Sequence, residues 1–170
     1  MTEFLTDRPS WWCKVVGSVS KSLFAMAAIL AGVAAIVWLM TDRQGASLLK
    51  PNDAFVVAQG KEIYAANCAS CHGVDLEGEP NWRRPNADLT MPAPPHDETG
   101  HTWHHSDKTL FELTKYGLGN ITNNADYKTN MPVYDGVLTD EEIVAVLSFI
   151  KSRWPVDVQE RHNELNLKSK

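Results

Sequence analysis

Asn67–Gly73 reads NCASCHG: Cys68 and Cys71 stand three apart, and His72 directly follows the second thiol. Paired cysteines at this spacing serve three chemistries, namely dithiol–disulfide exchange, zinc binding and covalent haem attachment. Each asks for different surroundings, so the flanking sequence decides between them.

Upstream, residues 53–66 (DAFVVAQGKEIYAA) form a helical pattern with Phe55, Val56, Ile63 and Tyr64 as the candidate buried face. Gly60 costs such a helix about 1 kcal/mol against alanine, which points to another element passing close by. A middle helix follows Ser106 as N-cap and stops at Gly117. The last follows Thr139, where TDEE puts Glu142 at the third position of a capping box. Ile143, Val146, Leu147 and Ile150 then recur at helical spacing until Trp154–Pro155 ends the run. No segment reads convincingly as a strand, so the expected fold class is all-α, a small domain with long loops.

That setting weighs on the cysteine pair. A thioredoxin-like dithiol needs a βαβ unit with its first cysteine at a helix N-terminus. Here the pair follows a helix and no strands surround it. Structural zinc wants four ligands, usually two spaced pairs, and there is no second pair. C-x-x-C-H is the pattern of c-type haem attachment: two thiols reach the two vinyl groups of one haem, and His72 falls under the iron as proximal ligand. The remaining cysteine, Cys13, follows SWW without a run of small residues and reads as a free thiol.

A second axial ligand should be soft and downstream. Met131 lies 59 residues after His72, in TNMPVYDGVLTD, where Pro132 stiffens a loop just ahead of the capped last helix. Met91, in LTMPAPP, precedes the middle helix and is the weaker candidate. Met131 is therefore expected as the distal iron ligand, giving the His/Met pair of electron carriers.

Composition bounds the rest. A net charge of −5 in 170 residues argues against nucleic acid as a partner. Residues 23–40 (LFAMAAILAGVAAIVWLM) carry no charge over 18 positions and as a helix reach about 27 Å, close to a bilayer's hydrocarbon thickness. The run is long for a cleavable signal peptide and ends in bulky residues, so an uncleaved transmembrane anchor is expected. The segment 1–22 precedes it, 41–52 reads as a polar linker, and 53–155 is the folded domain. The tail 156–170 is polar, either a loose helix or disordered. Residues 51–170 hold 11 basic and 18 acidic side chains, a net −7, which favours solubility without naming a partner.

Taken together, residues 51–155 resemble a class I cytochrome c: CASCH, the distal NMPVY and the helix LTDEEIVAVLSFIKSRWP occur in that family's order. The resemblance implies one covalent haem c and a first helix crossing the last through Gly60 and Tyr64, with Leu147 and Ile150 opposite. It also implies a proline carbonyl, Pro94 or Pro95, accepting a hydrogen bond from His72 Nδ1. With the anchor, the chain is similar to membrane-anchored bacterial cytochromes c. That places the haem domain on the periplasmic side of the cytoplasmic membrane and segment 1–22 in the cytoplasm. The partners so implied are the lipid bilayer and membrane redox complexes, quinol-oxidising on one side and terminal oxidase on the other. An iron with two protein ligands passes electrons rather than binding substrate, so no enzymatic activity is expected.

The stretch PPHDETGHTWHHSD adds His96, His101, His104 and His105 within ten positions. Two readings stand: a loop in which these histidines and Trp103 border the haem, or a site for a second metal such as copper. A histidine from this loop in place of Met131 would be a third arrangement. Arg83 and Arg84 could pair with the haem propionates, and Trp82 reads as packing. Besides an electron carrier, the chain could be a haem-based sensor with a labile Met131, or a copper-handling protein.

Overall fold

A computed structural model describes residues 26–38, 47–122, 124 and 127–169. It divides into two units, residues 1–46 and 47–170. In the first, residues 26–38 form helix α1, with every described side chain exposed. Among the described residues no helix is long and apolar enough to cross a membrane. The ends of the expected span, 23–25 and 39–40, lie outside the described residues, as do the segment 1–22 with Cys13 and the linker residues 41–46.

The second unit is helical, with no strand among its described residues: α2 (Ala54–Asn67), α3 (Ala69–His72), a 3-10 turn (Thr102–His104), α4 (Asp107–Tyr116), α5 (Leu118–Ile121), α6 (Asp140–Ser152) and α7 (Val156–Lys168). Local chemistry sets the helix starts. Asp53 Oδ1 accepts from the amides of Phe55 and Val56, so Asp53 caps α2 instead of lying in it. Ser106 caps α4 by accepting from Thr109 N. At α6, Thr139 Oγ1 accepts from Glu142 N (3.2 Å) while Glu142 Oε2 accepts from Thr139 N (2.8 Å), a closed capping box.

The core is built where α2 crosses α6. Gly60 is the contact: a Cβ there would lie 2.0 Å from the Ala145 carbonyl oxygen. One turn on, Tyr64 packs its ring 5.4 Å from that of Phe149. The partners across from α2 are thus Ala145 and Phe149; Leu147 and Ile150, expected there, turn toward the central cavity described below. Phe55 is also placed differently from expectation. It is 79% exposed, while Val57 and Ile63 pack on the core.

Both ends of the domain are fastened. Ser47–Lys50, expected as linker, belong to the folded unit: Leu49 is buried in the core and Lys50 N donates to Ser148 Oγ (2.9 Å). Residues 156–168 form a docked helix, resolving the two readings of the tail. Val158 is buried, and His162 Nε2–H donates to the His105 carbonyl (2.9 Å).

His162 gives the domain a pH dependence. Burial, reinforced by nearby Lys151, pushes its pKa below the ordinary imidazole value, against the opposing pull of Asp107 and the His105 carbonyl. The unfolded chain therefore takes up a proton first as pH falls, so stability present above about pH 6.5 is lost below it. The denaturant midpoint should drop between pH 7.5 and 5.5. The decline should become shallower in His162→Gln without vanishing, because burial also lowers the pKa of His96, His101 and His105, and an unchanged slope in that variant would refute the assignment.

Candidate functional site

The NCASCHG stretch folds as a single helical turn at the end of α2. His72 N donates to Cys68 O (2.9 Å) and Gly73 N to Ala69 O (3.0 Å). Gly73 then leaves with φ +83, a left-handed conformation that favours glycine. Two tyrosines pin this turn: Tyr64 Oη donates to the Gly73 carbonyl and Tyr134 Oη to that of Asn67, each at 2.8 Å. Tyr134 was not legible as a site residue, because its partner lies 67 positions away.

Above the turn is a cavity of about 510 Å³, within the range of small-molecule and cofactor sites. Cys68, Cys71 and His72 line it, as do Leu110, Leu113 and Thr114 of α4 and Val146, Leu147 and Ile150 of α6. Met131 lines it too, from the loop before α6. That loop is held against α4: Tyr134 N donates to Thr114 O (3.3 Å) and Asp135 N to Lys115 O (2.9 Å). One cavity thus collects both thiols and the imidazole from the motif turn and the thioether from the loop before α6.

His72 is buried, and Nδ1–H donates to the Pro94 carbonyl at 2.9 Å. The acceptor is Pro94; the Pro95 carbonyl instead lies 3.5 Å from Thr102 Oγ1. With Nδ1 carrying the proton, Nε2 keeps its lone pair, as a metal-ligating imidazole requires. Burial also pushes the His72 pKa down and outweighs the Pro94 bond, favouring the neutral, ligating form. The Pro94 loop has a tight seat, since a Cβ on Gly78 would come within 2.4 Å of Pro95 N.

Burial pushes the Cys68 thiol up to about 11. An attacking thiol wants the opposite shift, so Cys68 is poorly suited to start disulfide exchange. The donor set fits a covalently attached haem: two thiols beside an imidazole with a free lone pair, in a cavity that a thioether and apolar side chains also line.

Three of the four loop histidines, His96, His101 and His105, line the cavity, and His104 does not. His96 stacks on His72 with centroids 3.9 Å apart. His104 stacks on Trp103. His101 and His105 meet edge-on at 5.4 Å beside the cavity. Among the described residues no group of three or more His, Cys, Asp or Glu could hold a metal ion, so the second-metal reading lacks a ligand set. Trp103 does not line the cavity; its Nε1–H donates to Glu98 O. Trp82 does line it, parallel to His101 and with the Arg83 guanidinium 4.0 Å from its ring.

Comparison with known proteins agrees with this chemistry. A 36-residue stretch is 47% identical to the cbb3-type cytochrome c oxidase subunit FixP of Sinorhizobium medicae (strain WSM419), and equally to that of Rhizobium meliloti (strain 1021). The stretch is 21% of this chain and covers 12% of those proteins' own length. No solved structure matches. The cytochrome c family model matches residues 57–154, from the first helix through Trp154. With the motif turn, the cavity and the donor set all inside that span, the chain belongs to the cytochrome c family, whose cofactor is a covalently bound haem c.

Proposed function

We propose that this chain is a membrane-tethered carrier of single electrons, with haem c joined to Cys68 and Cys71 and with His72 and Met131 as the axial ligands of its iron. One observation carries the reading: His72, its Nδ1 committed to Pro94 O, and Met131 line the same cavity. The bound haem supplies one-electron chemistry at its iron. The chain does the rest. His72 offers Nε2, the loop held on α4 keeps the Met131 thioether in place, and the apolar side chains of α4 and α6 exclude water. A ligand pair closed in this way leaves no position for substrate, so the role is transfer and not catalysis.

The tether reading is supported by the uncharged run 23–40 and by the exposure of Met26, Ile29, Leu30, Val33 and Ile36. An anchor in the bacterial cytoplasmic membrane, with the haem domain on the periplasmic side, follows from covalent haem attachment as that family performs it. The likeness to an oxidase subunit, short as it is, favours a membrane redox complex as partner.

A redox titration of the detergent-extracted protein, with and without carbon monoxide, tests the ligation. The wild type should show a high potential that carbon monoxide does not move. Met131→Ala should bind carbon monoxide. Its potential should also fall by on the order of 0.1 V or more, a fraction of the roughly 0.8 V over which axial ligands shift haem potentials. A wild-type iron that binds carbon monoxide readily would instead favour a sensor with a labile sixth ligand.

A further inference from the structure

We propose that His96 is a positioning residue for the proximal iron ligand, an inference that rests on His72 filling that role. The His96 ring lies 3.9 Å from the His72 ring with 19° between their planes. The Pro94 bond fixes where His72 Nδ1 points. One in-plane hydrogen bond still lets an imidazole roll about the line to its acceptor. A flat neighbour against its face removes that freedom.

His96 is itself held from three directions. Its amide donates to Leu76 O (2.7 Å), and its carbonyl accepts from Trp154 Nε1–H (2.7 Å). Its Nδ1–H donates to Thr102 Oγ1 (2.8 Å). Leu76, Thr102 and Trp154 are all buried, so the stacking face is set by packed parts of the fold. Tyr64 also lies edge-on to His96, with ring centroids 6.5 Å apart.

An aliphatic side chain could fill the same volume, but it has no flat face and no bond to Thr102. A π face against the ligand also stabilises the positive charge that oxidation places on the iron and its imidazole. His96 therefore fixes the plane of the axial imidazole and holds the potential lower than an aliphatic residue would.

Two variants of the haem-loaded protein separate the contributions. His96→Leu keeps bulk and removes the face, whereas His96→Phe keeps the face and removes the Thr102 bond. The paramagnetic NMR spectrum of the oxidised protein reads the imidazole plane through the pattern of haem methyl shifts. His96→Leu should change that pattern and raise the midpoint potential, with haem content and sixth ligand unaltered. His96→Phe should retain the wild-type pattern. Identical patterns and potentials in wild type and His96→Leu would overturn the proposal. Should His96→Leu fail to fold, His96→Phe decides alone: a wild-type pattern supports positioning by the face, and an altered one refutes it. A wild-type spectrum without iron-shifted imidazole protons from His72 would overturn the ligand reading itself, and not the stacking.

Discussion

Asp107→Ala is expected to destabilise the haem-loaded domain by about 3–5 kcal/mol, because it strands a buried cation. Lys151 is 1% exposed, with Nζ 3.9 Å from Asp107 Oδ1 and 2.7 Å from Asn163 Oδ1. Burial raises the Asp107 carboxyl, but Lys151, the Ser47 hydroxyl, the Leu49 amide and His162 together hold it below the usual carboxylate range. It is therefore ionised at neutral pH and pairs a charge that water cannot reach. The same carboxylate accepts from Ser47 Oγ (2.8 Å), Leu49 N (3.2 Å) and Asn166 Nδ2 (2.9 Å). One side chain thus ties the entering chain and α7 to α4 and α6. Equilibrium unfolding measures the loss. Adding Lys151→Met should restore part of it, a coupling of roughly 0.5–3 kcal/mol, since no unpaired charge then remains. Amide exchange at Leu49 should accelerate in Asp107→Ala and stay slow in the middle of α6. A cost below about 1 kcal/mol would mean that Lys151 reaches water and the pair is a surface bridge.

This network shows where sequence reading stops. Its contacts join Ser47 to Asp107 across 60 positions, Lys50 to Ser148 across 98 and His162 to His105 across 57. Nothing local in SLLK or in the tail announces such partners, so 41–52 reads as linker and 156–170 as loose. Caps are different. Thr139 with Glu142 and Ser106 with Thr109 are bonds three residues long, complete within the pattern that reveals them. The cysteine motif is legible for the same reason: its turn closes within five residues.

Phe55 marks an intermediate case, in which helix geometry overrides hydrophobicity. It precedes Tyr64 by nine residues, which at 3.6 per turn puts it on the opposite side of α2. A face centred on Gly60 and Tyr64 therefore excludes it, whatever its hydrophobicity, and it is exposed. The loop histidines differ again, since spacing bundles four residues that the fold sorts: His96 onto His72, His101 with His105 at the cavity, and His104 onto Trp103. Only coordinates separate His96, beside His72, from His104 on Trp103.

Gly60→Ala carries the second large expectation, and its sign is the opposite of what helix propensity alone gives. In an exposed helix the change would stabilise by about 1 kcal/mol. Here the new Cβ would fall 2.0 Å from the Ala145 oxygen, 2.5 Å from its carbonyl carbon and 2.9 Å from Phe149 Cβ. Two of those three atoms are helix backbone and cannot turn aside, so α2 and α6 must part. Overpacking of this kind costs about 1–3 kcal/mol and sometimes more. Parting the helices also loosens the Tyr64–Phe149 contact, and Tyr64 is the residue whose hydroxyl holds the Gly73 carbonyl behind His72. With the backbone clash at the upper end of that range and about 1 kcal/mol of helix propensity regained, the net effect should be a loss of about 2 kcal/mol in unfolding free energy. Gly60→Val should lose more, because its larger side chain meets the same backbone. The damage should reach the haem: exchange of the amides at 71–73, in the motif turn, should quicken more than that in the far end of α6. Gly60→Ala with an unchanged unfolding midpoint would mean that the crossing tolerates a methyl group. Tyr64, and not the glycine contact, would then be what places the motif turn.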